Sequence, residues 1–415
     1  MIKQDQHIPS GYKLSPLGPI PEDWEVKRLG DVCNYVDYRG KSPNKVSNGV
    51  FLVTAKNIRD GYIDYEVSKE YIPNEDFEKV MQRGKAEVGD VLITTEAPLG
   101  HVAQIDNPNI ALAQRVIKYR GKENLLNTFL KYFLMSETFQ TILTANATGS
   151  TALGIKGSRL HQLPIILPNI TEQEEIISVL QLWDTAIAKQ TALIDKLTLR
   201  KRGLMQQLLT GKKRLKGFSG EWKEVRLGDV ASINRGGSPR PIEDYITDRD
   251  GYNWIKIGDV GVDAKYITRT EEKIIKEGLS KTRFVKSGDF ILSNSMSFGR
   301  PYILKIDGCI HDGWLVIQEY DKTFNIDFLY YILGYDTTLA QYKSMAAGSG
   351  VLNLNKEIVK EVMLKTPSID EQKAIATILV ESDKENEMAN KKLERLQEEK
   401  KGLMQVLLTG KRRIK

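Results

Sequence analysis

Two cysteines and four histidines are all that this chain of 415 residues offers toward disulfide or metal chemistry. Cys33 and Cys309 lie in different halves and cannot build a framework. His7, His101, His161 and His311 are scattered, with no Cys/His pair at metal-ligand spacing. These scarcities exclude a disulfide-stapled secreted scaffold and a zinc ribbon, and they fit a reducing cytoplasm. Long apolar runs are missing as well. Nothing approaches 18 uninterrupted apolar residues and the opening stretch has no apolar core, so neither a membrane span nor a signal peptide is expected. Catalytic signatures are equally sparse. There is no Gly-x-Gly-x-x-Gly and no Asn-Pro-Pro-Tyr; Gly40-Lys41-Ser42 imitates the end of a phosphate loop, but Tyr35 stands where its first glycine belongs. Glu271-Glu272-Lys273 lacks the upstream Pro-Asp of a nuclease site. With no convergent group of acids, bases or ligands, no catalytic residue, no metal and no cofactor are expected in this chain.

What is present is a repeat. Thr171 to Leu215 returns near the C-terminus: Leu204-Met205-Gln206 becomes Leu403-Met404-Gln405, and Leu208-Leu209-Thr210-Gly211 becomes Leu407-Leu408-Thr409-Gly410. The offset is 199 residues there and again from Gln173 to Gln372, so nothing was inserted or lost between. A loop tolerates insertion; a helix packed along its length does not. Steps of four and three from Ile176 give Ile176, Leu180, Trp183, Ile187, Gln190, Ile194, Leu197, Lys201, Leu204 and Leu208. The second copy gives Ile375, Leu379, Ser382, Asn386, Ala389, Leu393, Leu396, Lys400, Leu403 and Leu407. Each segment is expected to be one long helix with a heptad seam, about 58 Å for 39 residues, and the nearest cover for each stripe is its own copy. Thr171 and Asp370 suit the N-caps, and Gly211 and Gly410 the left-handed C-caps.

The duplication covers nearly the whole chain. Trp24…Leu29-Gly30-Asp31 returns as Trp222…Leu227-Gly228-Asp229, and Gly89-Asp90 as Gly288-Asp289. Within each copy, short β-rich runs alternate with turns; Asn127 to Ala145 and Asp327 to Ala346 read as helices, and Leu163 to Pro168 and Val362 to Pro367 as closing strands. The expected class is α+β: an N-terminal arm over 1–18, a β-rich domain over 19–168, a helix over 169–215, a second domain over 216–367 and a second helix over 368–415. Between the shared segments the copies diverge, so two like scaffolds carry two unlike faces.

A net charge of +6 and a pI near 8.9 permit nucleic-acid contact without demanding it. Phosphates call for Lys, Arg, Ser, Thr and backbone N–H, while base edges call for Arg, Asn and Gln. Residues of those types in or beside expected loops are Arg39, Lys41, Lys56, Asn57, Thr95, Gln114, Arg115 and Ser150 in the first copy. In the second they are Arg235, Ser238, Arg240, Lys256, Asn294, Ser295, Arg300 and Ser349, with Trp314 among them. Any one of them alone suits a solvated surface.

Taken together, Pro21…Trp24…Leu29-Gly30-Asp31, Gly89-Asp90, Pro168…Glu172-Gln173…Ile176 and Leu204-Met205-Gln206…Leu208-Leu209-Thr210-Gly211, each with its copy, resemble the specificity (S) subunit of a Type I restriction-modification system. The resemblance implies two target-recognition domains, each reading one half of a split, asymmetric sequence in double-stranded DNA. Two antiparallel spacer helices with pseudo-two-fold symmetry would hold them apart. It also implies two methyltransferase (M) subunits bringing S-adenosylmethionine, and restriction (R) subunits bringing ATP and Mg. The Leu-Met…Leu motif, at Leu204, Met205, Leu208, Leu403, Met404 and Leu407, is expected to meet such a partner. The rival expectation is a duplicated coiled-coil scaffold that organises protein partners and never touches DNA.

Overall fold

The computed structural model describes residues 8–38, 43–149, 152–261, 264–294, 298–346 and 354–414. The chain forms two compact units, one of Met1–Thr191 with Lys391–Lys415, the other Ala192–Asn390. Each unit thus takes the first half of one long helix and the second half of the other.

In the first unit a four-stranded antiparallel sheet runs in the order Cys33–Asp37, Val116–Gly121, Val91–Thr95, Leu99–Gln104. A three-stranded sheet, Tyr71–Ile72, Val50–Val53 and Ile110–Leu112, ends in a parallel pair. Leu52, Leu92, Ile110 and Val116 fill the space between these sheets. The Gly-Asp turn leads into Val91–Thr95 as its sequence implies: Gly89 has φ +90°, and the Asp90 carboxylate accepts the Glu87 amide at 3.1 Å. In the second unit the corresponding sheet has five strands, Ser232–Arg235, Trp314–Gln318, Phe290–Ser293, Pro301–Leu304 and Tyr266–Ile267. Beside it lies another of five: Ile246–Thr247, Glu272–Ile274, Tyr252–Ile255, Gly308–Ile310 and Arg283–Val285. Cys33 and Cys309 are buried and free, and burial pushes their thiols up to about 12 and about 11.

A two-stranded ribbon closes each globular part, Glu25–Arg28 against Pro164–Leu167 and Lys223–Arg226 against Met363–Thr366. The long helices follow, Ile170–Leu208 and Ile369–Leu407, each of 39 residues. They begin one residue before the caps read from sequence. Asn169 and Ser368 do the capping, their side-chain oxygens accepting the Glu172 and Glu371 amides. The C-caps fall where expected: Gly211 and Gly410 both have φ +70°, and the Lys213 and Arg412 amides reach back six residues to Gln207 and Val406.

All twenty seam positions are buried or half-buried, and the pairing is antiparallel in each unit. In the first, Glu172 bonds Arg413 and Asp184 pairs with Lys400; moving 12 residues along one helix moves 13 back along the other. In the second, Glu371–Arg214 and Asp383–Lys201 repeat that spacing. The two lysines that interrupt the seam are therefore paired rather than misplaced.

Two expectations need correction. Residues 1–18 do not form an arm throughout, because Tyr12–Ser15 pairs with Gly18–Pro21 and the Tyr12 hydroxyl donates to the Gly410 carbonyl at 2.7 Å. The expected single helices after the sheets are each two: Asn127–Met135 and Glu137–Ala145, then Ile326–Leu333 and Asp336–Ala346. Ser136 breaks the first pair, since its hydroxyl accepts the Phe139 amide as an N-cap and donates to the Phe133 carbonyl.

Candidate nucleic-acid interface

Three polar ties recur at the 199-residue offset and fix the frame on which any recognition surface stands. Glu172 is buried and accepts the Trp24 indole N–H at 2.7 Å and the Arg413 guanidinium at 2.8 and 2.9 Å. Its counterpart Glu371 takes both prongs of Arg214 at 2.7 Å. Gln173 and Gln372, wholly buried, bond the backbone before the next helix, at Asn124 and Leu126 in one unit and Thr323 and Asn325 in the other. Asp184 accepts the Tyr132 hydroxyl and pairs with Lys400, each at 2.5 Å, and Asp383 treats Tyr331 and Lys201 alike. Glu, Gln, Tyr, Asp and Lys at these posts are spent inside their units.

The Leu-Met motif is spent there too. Leu403, Met404 and Leu407 pack into the first unit's core with Trp24, and Leu204, Met205 and Leu208 into the second's with Phe328. Met404, Leu407 and Leu208 are buried in those cores, while Leu403, Leu204 and Met205 are half-buried against them. The large apolar side chains left exposed on the long helices are Leu182, Leu193, Leu199 and Met388.

In the first unit the structure brings Lys56, Thr95, Gln114 and Arg115 together. They line two adjoining hollows of about 260 and 350 Å³ that share Gln114 and Arg115. Lys45 and Lys156, overlooked in the sequence, complete the basic rim. Arg115, at φ +74°, is half exposed with Nε 2.7 Å from Glu96, and Lys45 lies 2.5 Å from Glu70. Thr95 is buried and positions this surface rather than presenting itself: its amide donates to the Arg115 carbonyl, and its carbonyl accepts the Ile155 amide. Asn57 must be withdrawn as a contact. Its buried amide serves Thr54, Asp64 and Ser68, so the polar residue type reflected a turn in need of bonds.

In the second unit Arg235, Ser238 and Arg240 converge on Asp312, a residue that a search for cations passes over. The Ser238 hydroxyl donates to Asp312 Oδ1 at 2.8 Å; Arg235 Nε donates to the Asp312 carbonyl at 2.9 Å; and the guanidinium of Arg240 lies 3.8 Å from the carboxylate. The Ser238 bond, opposed by desolvation and aided by the fields of His311 and Arg235, holds the Asp312 carboxyl below the usual carboxylate range. Asn294 is buried and clamps the same turn, its amide donating to the Asp312 carbonyl at 2.9 Å. Lys256 is paired with Glu272 at 2.5 Å, which raises its ammonium above the ordinary lysine range. Trp314 must also be withdrawn: it is fully buried against Tyr302, its indole N–H bound to the Ile255 carbonyl. Arg300 sits elsewhere, over the Tyr302 ring and beside a hollow of about 500 Å³ with Lys201 and Tyr330. Arg39, Lys41, Ser150, Ser295 and Ser349 lie outside the described residues.

Among the described residues no group of three or more His, Cys, Asp or Glu could hold a metal ion, and no helix is long and apolar enough to cross a membrane.

A family model for the Type I restriction modification DNA specificity domain matches twice, over residues 21–199 and 219–398. The putative type I restriction enzyme MjaX specificity subunit of Methanocaldococcus jannaschii is 26% identical over 97% of both chains. The MjaVIII specificity subunit of the same organism is 24% identical over 95% of this chain and 94% of that one. Among solved structures, the Type I restriction-modification S subunit from M. genitalium aligns with a TM-score of 0.56 at 15% identity, covering 92% of this chain and 96% of that one. A chain from a study of assembly and conformational transition in the type I R-M system aligns at 0.65 and 20% identity, covering 94% and 99%. Two matches that span most of the sequence, falling on the two duplicated frames, place the chain in the Type I restriction-modification DNA specificity family, as a non-catalytic specificity subunit that carries the family's domain twice.

Proposed function

We propose that this chain reads double-stranded DNA at two unlike half-sites, one per unit, and that its long helices set the unread gap between them. The observation that carries this reading is the contrast within the duplication. Glu172/Glu371, Gln173/Gln372 and Asp184/Asp383 keep one frame, while the exposed turns above it differ in sequence and charge. Two methyltransferase subunits bring S-adenosylmethionine, and restriction subunits, where present, bring ATP and Mg. The kinship with a chain from a study of Type I complex assembly supports partners of this kind. They meet the outward faces of the long helices, where Leu182, Leu193, Leu199 and Met388 stay exposed, rather than the Leu-Met motif.

The test is selection from randomised duplexes by the full chain assembled with its methyltransferase subunit. The expected product is a bipartite motif with a fixed gap. Its binding should weaken steeply with salt, with a slope of about −0.9 per phosphate neutralised. Assembly without sequence preference would instead establish the scaffold reading.

A further inference from the structure

The connection that leads into the strand second from the edge of the main sheet carries a charge in both units, but its sign is reversed. In the first unit it runs from Leu112 to Val116 and carries a cation, Arg115, held by Glu96 at 2.7 Å. In the second it runs from Ile310 to Trp314 and carries an anion, Asp312, which gathers Arg235 and Arg240 around it. The Asp312 backbone is fastened by Asn294 and Arg235, and the Ser238 hydroxyl fixes its carboxylate. Arg235 is tied by Nε to the Asp312 carbonyl, with its outer guanidinium nitrogen 4.0 Å from the carboxylate. Arg240 is held loosely by comparison: its guanidinium stands 3.8 Å from the carboxylate and its side chain is 82% exposed. Exposed ion pairs at such distances contribute little, so a base edge can take Asp312's place at small cost. An arginine fork suits the O6 and N7 acceptors of guanine in the major groove.

We propose that the Asp312 carboxylate is a positioning group for the second half-site, aiming Arg240 at guanine, and that Glu96 does the same for Arg115 at the first. This rests on the DNA-reading function proposed above. Without the carboxylate the forks keep their charge and their attraction to phosphate but lose their aim, so discrimination should fall while non-specific binding does not.

The experiment repeats the randomised-duplex selection with Asp312→Asn and Glu96→Gln in the full chain with its methyltransferase subunit. Asp312→Asn is expected to reduce preference for guanine at one or two positions of the second half-site by about 10- to 100-fold. The first half-site, the gap and the salt slope should stay as in the wild type. Glu96→Gln should do the converse. Ser238→Ala, which removes one hydroxyl and no charge, should give a smaller loss confined to the second half-site. An unchanged motif in Asp312→Asn would overturn the proposal, as would decay of both half-sites together. A wild type without any preference would overturn the DNA-reading function itself, so the two failures are distinguishable.

Discussion

Trp24 and Trp222 occupy equivalent posts, yet only one of them is satisfied. The Trp24 indole N–H donates to Glu172 at 2.7 Å, whereas the Trp222 indole nitrogen is buried with no hydrogen-bond partner, and Arg214 lies over its ring 5.9 Å away. Removing a donor from a buried carboxylate costs more than removing one already unpaired. Trp24→Phe should therefore destabilise the protein by about 1.5–3 kcal/mol and Trp222→Phe by less than about 1 kcal/mol, as read from denaturant midpoints. Equal losses would show that ring packing, not the bond to Glu172, is what matters. At this scale the sequence was legible only in part. Residue type picked out Arg115, Arg235 and Arg240 because long cations seek the surface. It misled at Asn57 and Trp314, which look like recognition residues but satisfy a turn and fill a core. It passed over Asp312 and Glu96, the carboxylates that the fold sets beside Arg240 and Arg115, because a search for phosphate partners does not look for acids.

Glycines of two kinds occur in and just after the long helices. Gly203 and Gly402 lie in the last two turns with open space where a side chain would stand, so each gives up helix propensity. Gly410, in the cap past the second helix, has φ +70°, and a Cβ there would overlap Pro21 Cδ. Gly203→Ala and Gly402→Ala should each stabilise by about 0.5–1 kcal/mol, while Gly410→Ala should cost more than about 2 kcal/mol from strain and overlap; thermal melts compare them directly. These elements were the most legible part of the chain, because an unbroken heptad register and a Leu-Leu-Thr-Gly ending encode length, seam and cap locally. The role of the Leu-Met motif was not legible: a sequence shows an apolar stripe but not what covers it, and here the helix's own domain does so. The breaks at Ser136 and after Leu333 were hidden as well, since apolar periodicity continues across them while one side chain reroutes the backbone.

At the scale of the whole chain, duplication was visible from the constant offset, and with it the family. The unlike faces were visible only as divergence. The proposed function, two half-site readers at a set spacing, requires a frame kept at a constant offset beneath turns that differ. Length is the property of the helices that selection would guard, because each added residue moves the helix ends by about 1.5 Å. The measurement that bears most directly on this is the target selected by a variant with one heptad inserted within Ala186–Leu199 and another at the antiparallel partner positions, which preserves the seam in both helices. The account predicts that both half-sites remain as in the wild type while the gap grows by about three base pairs, the span of about 10 Å of added helix. A folded variant whose gap is unchanged, or whose half-sites change, would contradict it.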